Sequence, residues 1–209
     1  RKVLDIPLSI KIRTGWDDSS INAEEVARLA EDHGIAWVAI HGRTRAQGYS
    51  GLANWDLIGR VKSKVRIPIV GNGDISTAAR AVELLRTYQL DGVMIGRACL
   101  KNPAIFQQSL RLWKGENPYS EQITMWQFFS ELKADLESQC TERLLPLQLK
   151  KFAAWYASGY PGAATFRKNI FQQQSLAEIV QISQDFFSRV QIQDQVDTSK
   201  ESFLMGGHG

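Results

Sequence analysis

The hydrophobic pattern changes character about halfway along the chain. In the first half, short apolar runs rich in β-branched residues alternate with amphipathic stretches of helical period. The runs at 8–12, 37–41, 67–71 and 92–95 read as strands. The spacing between them predicts three helices. The first starts at Asn22 with Glu25 as capping-box partner, buries Val26, Leu29, Ala30 and His33, and stops at Gly34. The second covers 55–64, closed by Ile67-Pro68, and the third runs from Ser76 as N-cap to residue 88, with Ala78, Ala81, Val82 and Leu85 on one face. Near-continuous apolar strands, each followed by a helix, imply a parallel sheet with helices on its outside. A closed (β/α)8 barrel repeats this unit eight times over about 250 residues. Four units are present, so the pattern reads as half a barrel.

From Ile105 the strand pattern stops. Met125, Phe128, Phe129, Leu132 and Leu136 share one helical face, and Leu145, Leu149, Phe152 and Tyr156 another, which ends at Gly159 with Pro161 beyond. Ser175 and Glu178 cap a last helix carrying Ile179, Phe186 and Val190. The expected organisation is an α/β half-barrel over 1–113, a linker at 114–120, a helical domain over 120–190 and a disordered tail over 191–209. Arg1 is not a methionine, and the residues after it already enter a strand pattern without a targeting segment ahead. The chain is therefore expected to be the downstream part of something larger.

Composition excludes some classes. With 44% hydrophobic and 22% charged residues among 209, the chain is neither collagen-like nor wholly disordered. No apolar run reaches the roughly 18 residues that suggest a membrane helix, so no membrane partner is expected. Two cysteines, Cys99 and Cys140, are too few for a disulfide framework and are not spaced as metal ligands. A reducing cytoplasm and no metal are the expectations. The formal charge of +3 permits an RNA partner without demanding one.

Polar residues follow each strand. The first delivers Lys11 and Arg13, the second His41-Gly42-Arg43-Thr44, the third Gly71-Asn72-Gly73-Asp74 and the fourth Gly96-Arg97. In a β/α barrel these positions line the C-terminal mouth, where sites are built. Gly71 and Gly73 would let backbone N–H groups approach a phosphate, and the following helix points its positive end the same way. Gly96 and Arg97 repeat the device; the plainer alternative is that these glycines only permit tight turns. Lys11 interrupts an apolar strand, where a buried ammonium needs an anionic or acceptor partner, unless it snorkels at the strand end. His41 reads as a ligand-binding residue or a satisfied core histidine. Arg143, Lys150, Lys151, Arg167 and Lys168 could follow an RNA backbone or be ordinary solvated charges. The paired aromatics Phe128 and Phe129, and Phe152 and Trp155, read first as core.

Four segments in order carry a resemblance. Lys11-Ile-Arg13-Thr-Gly15-Trp16-Asp17-Asp18, His41-Gly42-Arg43-Thr44-Arg45 with Tyr49-Ser50-Gly51, Gly71-Asn72-Gly73-Asp74-Ile75, and Asp91-Gly92-Val93-Met94-Ile95-Gly96-Arg97 resemble the tRNA-dihydrouridine synthases, most closely the bacterial B-type. The likeness continues through Asn102-Pro103-Ala104-Ile105-Phe106 and Trp155-Tyr156 to Gly159-Tyr-Pro161-Gly162-Ala163, and covers residues 3–190. It implies the downstream half of a TIM-type barrel holding FMN, followed by a helical tRNA-binding domain. NADPH would reduce the FMN, which in turn reduces a uracil flipped out of tRNA. The resemblance gives Lys11 the isoalloxazine edge, and His41, Asn72, Gly73, Asp74, Gly96 and Arg97 the ribityl phosphate. Arg13 and Arg43 would face the uracil and its phosphates, with Lys150, Lys151 and Lys168 on the tRNA backbone.

The departure is also clear. The family's Asn-x-Gly-Cys-Pro segment, whose cysteine is the general acid at C5, belongs upstream of Lys11 and nothing here matches it. Cys99 reads better as a small buried thiol, and Cys140, in the helical domain, is a weaker candidate still. The expectation is thus a tRNA-modifying oxidoreductase whose catalytic-cysteine half lies outside this chain, which alone would be inactive. Another FMN or phosphate-binding barrel enzyme, or a non-catalytic RNA-binding module of the same fold, remain as alternatives. The oligomeric state, the uridine reduced and the choice between NADPH and NADH have no signal in the sequence.

Overall fold

In the computed structural model, which describes residues 5–120 and 123–192, four short strands carry the first half of the chain. They are β1 (Ile10–Arg13), β2 (Val38–His41), β3 (Ile69–Asn72) and β4 (Gly92–Met94), with α1 (Ala23–Asp32), α2 (Trp55–Lys62) and α3 (Ala78–Thr87) between them. The strands pair in parallel in the order β1-β2-β3-β4. This is the arrangement of successive units in a β/α barrel, and the α/β class is as expected. Successive side chains alternate between the faces of a strand. Ile10, Ile12, Val38, Ile40 and Ile69 therefore share one face, and it packs into a core with Ala27, Trp55, Ile58, Ala81 and Leu84 of the helices.

The sequence reading of α1 needs correction. Ala23, Ala27 and Ala30 form its buried face, whereas Leu29 and His33 are exposed and Val26 only half-buried. A run of alanines lets the helix lie close on the sheet, which a leucine face would not. Asn22 is the N-cap but makes no side-chain capping bond. The helix start is instead tied to the end of β1, because the Asn22 and Ala23 amides both donate to the Thr14 carbonyl. For α3 the N-cap is Thr77 rather than Ser76, with its hydroxyl accepting from the Arg80 amide.

Gly71 also differs from its expected role. It lies on the helix-facing side of β3, where an added Cβ would stand 2.4 Å from Trp55 Cζ3 and 2.8 Å from Leu90 Cδ1. The missing side chain makes room for an indole, not for a phosphate. Trp55 in turn stacks on Tyr88, their centroids 6.2 Å apart, and Tyr88 packs against Gly59.

The chain divides into two compact units at Gly96 and Arg97. The second opens with a 3-10 turn, Arg97–Leu100, and continues through α4 (Ile105–Trp113), α5 (Met125–Gln139), α6 (Leu145–Tyr156), α7 (Ala163–Gln172) and α8 (Leu176–Phe187). By this division α4 groups with the helical half and not with residues 1–96. The expected apolar faces of α5, α6 and α8 meet around Phe129, Leu149, Ile179 and Phe187. Phe129 sits 5.1 Å from Phe187 and edge-on to Tyr156, and Phe166 stacks on Phe186 at 4.3 Å. The capping box at Ser175 and Glu178 forms, and a second one forms at Thr124 and Gln127.

Helices α4 and α7 have no counterpart in the sequence reading. On α4, Phe106, Leu110 and Trp113 are exposed while Gln108 is buried, which hides its periodicity. α7 starts after Gly162, at φ +81°, without a capping side chain. Gln191, expected to begin a disordered tail, bridges to Thr124 beside the Val190 carbonyl, which accepts from the Met125 amide. The rest of that tail, from 193 on, lies outside the described residues.

Gly71→Ala should destabilise the first unit by about 1–3 kcal/mol, the cost of overpacking a filled site. Gly96→Ala, with no atom within 4 Å of its added Cβ, should leave stability within about 0.5 kcal/mol. Urea unfolding followed by Trp fluorescence checks both; equal effects would mean that the indole does not fill the space over Gly71.

Candidate functional site

The parallel register aligns the polar strand ends into a row. Arg13 pairs with His41, His41 with Asn72 and Asn72 with Met94. Lys11 is two residues below Arg13 on the same face of β1, the face turned away from the helices. The row is held by backbone groups as well as by pairing. Arg13 Nη1 donates to the carbonyls of Thr44 (2.8 Å) and Gly48 (3.0 Å), and Asn72 Nδ2 donates to the Met94 carbonyl at 2.8 Å. The loops after β1 and β2 are knitted together, with the amides of Arg45 and Ala46 donating to the Gly15 and Trp16 carbonyls. Tyr49 lies in the second of these loops, its ring 6.4 Å from that of His41.

Gly73 follows Asn72 at φ +127°, where a Cβ would stand 2.5 Å from Ala53 Cβ and 3.2 Å from His41 Cδ2. Only glycine fits this turn, in keeping with a backbone that comes close to its surroundings. Trp55 Nε1 donates to the Gly73 carbonyl at 3.1 Å, so the indole that fills the space over Gly71 also fixes the next turn.

Arg43 and Asp74 depart from expectation. Arg43 is only 3% exposed. Its Nε donates to the Ser50 carbonyl, and its Nη2 to the Gly51 carbonyl and both oxygens of Asp74, at 2.7 and 3.0 Å. Asp74 Oδ2 also accepts from the Ala53 amide at 2.7 Å. A guanidinium committed to an internal carboxylate and two carbonyls does not reach out to a uracil. A carboxylate so engaged is likewise a poor holder of a phosphate, which its charge would repel. Sequence spacing gave no sign of this pair, because its members are 31 residues apart on different loops.

Electrostatics distinguish the row further. The His41 pKa is lowered to about 4 by burial and by the positive charges of Arg13, Lys11 and Arg43, with Asp74 acting the other way. Lys11 is also lowered, by desolvation and by Arg13. His41 is thus a neutral imidazole at neutral pH, in a positive field that favours an anion beside it.

The remaining expected residues fall elsewhere. Gly96 ends the first unit and is exposed; Arg97 opens the turn of the second. Lys150 Nζ donates to the Gln173 carbonyl at the end of α7 and so is used within the helical unit. Lys151 stands 4.7 Å over the Trp155 ring, and Lys168 is exposed on α7. Cys99 is half-buried, with its pKa raised mainly by desolvation, and Cys140 caps the end of α5. Among the described residues no group of three or more acidic, His or Cys side chains could hold a metal, and no helix is long and apolar enough to cross a membrane.

NMR of the His41 ring should give a titration midpoint near 4. The unfolded chain binds a proton near pH 6.5, so between pH 6.5 and 4 it takes up protons that the native state does not. The stability contributed by neutral His41 is complete above pH 6.5 and is lost as pH falls towards 4. Arg13→Ala should move the midpoint up; an unchanged midpoint would show that Arg13 does not act on the ring.

The residues along this row lie within a longer stretch of similarity to known proteins. The family model described as Dihydrouridine synthase (Dus) matches residues 1–191. The chain is 37% identical over 180 residues to a probable tRNA-dihydrouridine synthase 1 of Synechocystis sp., covering 84% of this chain and 50% of that protein. It is 34% identical over 189 residues to tRNA-dihydrouridine synthase B of Xanthomonas campestris pv. campestris, covering 89% and 57%. A probable tRNA-dihydrouridine synthase of Rhizobium leguminosarum bv. phaseoli is 51% identical over 102 residues, 49% of this chain and 32% of that protein. The chain spans about half the length of the curated relatives it matches. With the order of the strand-end motifs and the parallel β/α architecture, these matches make the chain a member of the dihydrouridine synthase family.

Proposed function

We propose that the protein reduces specific uridines of tRNA to 5,6-dihydrouridine with FMN as cofactor and NADPH as electron donor, in the cytoplasm. The observation that carries this reading is the row Arg13–His41–Asn72 with Lys11 behind it, cationic and turned away from the helix layer, in a chain of this family. The residues fit a flavin mononucleotide. Gly73 leaves a turn that no side chain could occupy, and Arg13, Lys11 and Arg43 crowd positive charge around neutral His41. When bound, FMN supplies the hydride that reduces the C5–C6 double bond of uracil.

Lys11 would contact the flavin and favour negative charge on its ring. His41, Asn72 and the Gly73 backbone would hold the cofactor, joined by Gly96 at the phosphate. Arg13, already anchored on two loop carbonyls, would face the substrate base. Arg43 and Asp74 hold the loops rather than the ligands. A cysteine of an Asn-x-Gly-Cys-Pro segment would protonate C5, and residues 1–209 contain no such segment. Lys151 and Lys168 of the helical unit would follow the tRNA backbone, and its aromatic cluster is the core that holds α5–α8 in place.

The test is expression, in cells stripped of their own dihydrouridine synthases, of this chain joined to an upstream half that carries the Asn-x-Gly-Cys-Pro segment, with tRNA nucleosides analysed by mass for the two added hydrogens; residues 1–209 alone should restore none. Dihydrouridine should return with wild type and be lost with Lys11→Ala. A flavin-loaded protein that never alters tRNA would point to a different FMN oxidoreductase, and tRNA binding without flavin to a non-catalytic module. Lys151→Ala and Lys168→Ala should weaken tRNA binding and flatten its salt dependence, by a slope of about 0.7–0.9 for each phosphate no longer neutralised. Filter binding across a salt series reads this. An unchanged slope would confine these lysines to the helical unit's own surface.

A further inference from the structure

We infer that Arg43 and Asp74 are a positioning pair, whose ion pair sets the backbone of the two loops flanking the proposed flavin cradle without touching the cofactor itself. The inference rests on the proposed flavin site but is built from contacts that need no ligand. Arg43 is two residues beyond His41, and Asp74 two residues beyond Asn72, its partner on the neighbouring strand. One guanidinium therefore ties the end of β2 to the chain just past β3. It also draws in the Ser50 and Gly51 carbonyls, which fixes the loop that carries Tyr49. The Asp74 carboxylate closes the circuit by accepting from the Ala53 amide, just ahead of α2.

The backbone gives a reason for so many bonds at one place. Asp74 has φ +51°, directly after Gly73 at φ +127°. An aspartate in the left-handed region is strained, and such a conformation persists where its surroundings over-determine it. Arg43 and the Ala53 amide supply that constraint. If they let go, the chain at 73–74 is free to relax towards ordinary φ values, and the turn that follows Asn72 changes course. The Nη2 and Nε donors of Arg43 are already directed inward, so its influence on a ligand passes through the loops.

Two ways of acting give opposite expectations. If the pair worked on a bound anion through charge, Arg43→Met would weaken FMN and Asp74→Asn would tighten it, because a repelling carboxylate is removed. If it works by position, both substitutions weaken FMN, by about tenfold or more, since small displacements of a preorganised site are costly. The double variant should then lose little beyond the worse single, as expected for partners in one network. Asp74→Asn keeps an acceptor for the Ala53 amide, and Arg43→Lys serves as the milder partner should Arg43→Met not fold.

The experiment measures FMN affinity by fluorescence quenching in the chain joined to its upstream half, with amide exchange at Ala53 in the absence of flavin and the His41 titration by NMR. The expected result has three parts. Affinity falls in both single variants, and exchange at the Ala53 amide quickens with Arg43→Met at temperatures well below the melt. The His41 midpoint moves in opposite directions, up when Arg43 is neutralised and down when Asp74 is. Tighter FMN with Asp74→Asn would overturn the inference in favour of direct charge action. Unchanged exchange would overturn it as well, since the loops would then be held by other means. If the wild type takes up no FMN, the flavin reading fails, and the amide exchange alone decides whether the pair sets the loops.

Discussion

A parallel strand can seal only one of its two rows of side chains with the helices that connect it to its neighbours, and this constraint organises the first half of the chain. Ile10, Ile12, Val38, Ile40 and Ile69 face the helices. The alternate positions of β1 and β2, Lys11 and Arg13, Ala39 and His41, are left for the other face. Parallel pairing without slippage then places Arg13, His41 and Asn72 side by side at the strands' C-terminal ends. A slip of one residue would send the ionic row into the helix layer and the isoleucines out of it. The hydrophobic core and the chemical site are thus fixed by the same register.

Core and site also share atoms. Trp55 fills the space over Gly71 on the helix side and donates its indole N–H to the Gly73 carbonyl on the way out of β3. The two glycines of Gly71-Asn72-Gly73 look alike in sequence and do different work. One admits an aromatic ring to the core; the other lets the chain turn, where a Cβ would strike Ala53 and crowd His41. Asn72, between them, projects to the opposite face from Gly71 and holds the Met94 carbonyl.

Much of this was legible beforehand, and the failures share a cause. The four strands and the helices α2, α5, α6 and α8 follow from periodicity and caps, because each buries residues that its neighbours in sequence identify. α1 misled because its buried face is alanine while Leu29 is exposed, and α4 because Phe106, Leu110 and Trp113 are exposed. Hydrophobicity ranks a leucine above an alanine, whereas close packing of a helix on a sheet prefers the alanine. At the strand ends the sequence indicates which residues gather, since any residue following a strand must arrive there. It does not indicate which of them turn inward. Arg13 and Arg43 look interchangeable as basic residues after apolar runs, yet one bonds loop carbonyls from the open face and the other is buried beneath its ion pair with Asp74. That difference depends on a carboxylate and two carbonyls contributed by other loops.

The same pair bears on the sign of the field over the strand ends. An open cluster of arginine, lysine and histidine would ordinarily recruit nearby carboxylates, and Asp74 is well placed to be one. Its oxygens are instead taken up by Arg43 and the Ala53 amide, so it offsets the guanidinium beside it rather than Arg13 or Lys11. The depressed pKa of His41 reflects its burial first and then the charges of Arg13, Lys11 and Arg43, with Asp74 acting the other way. A neutral imidazole in a positive field can donate or accept a hydrogen bond without adding a charge of its own. It is suited to a ligand whose charge sits at one end and whose polar atoms extend along the row, a form that the proposed flavin mononucleotide has.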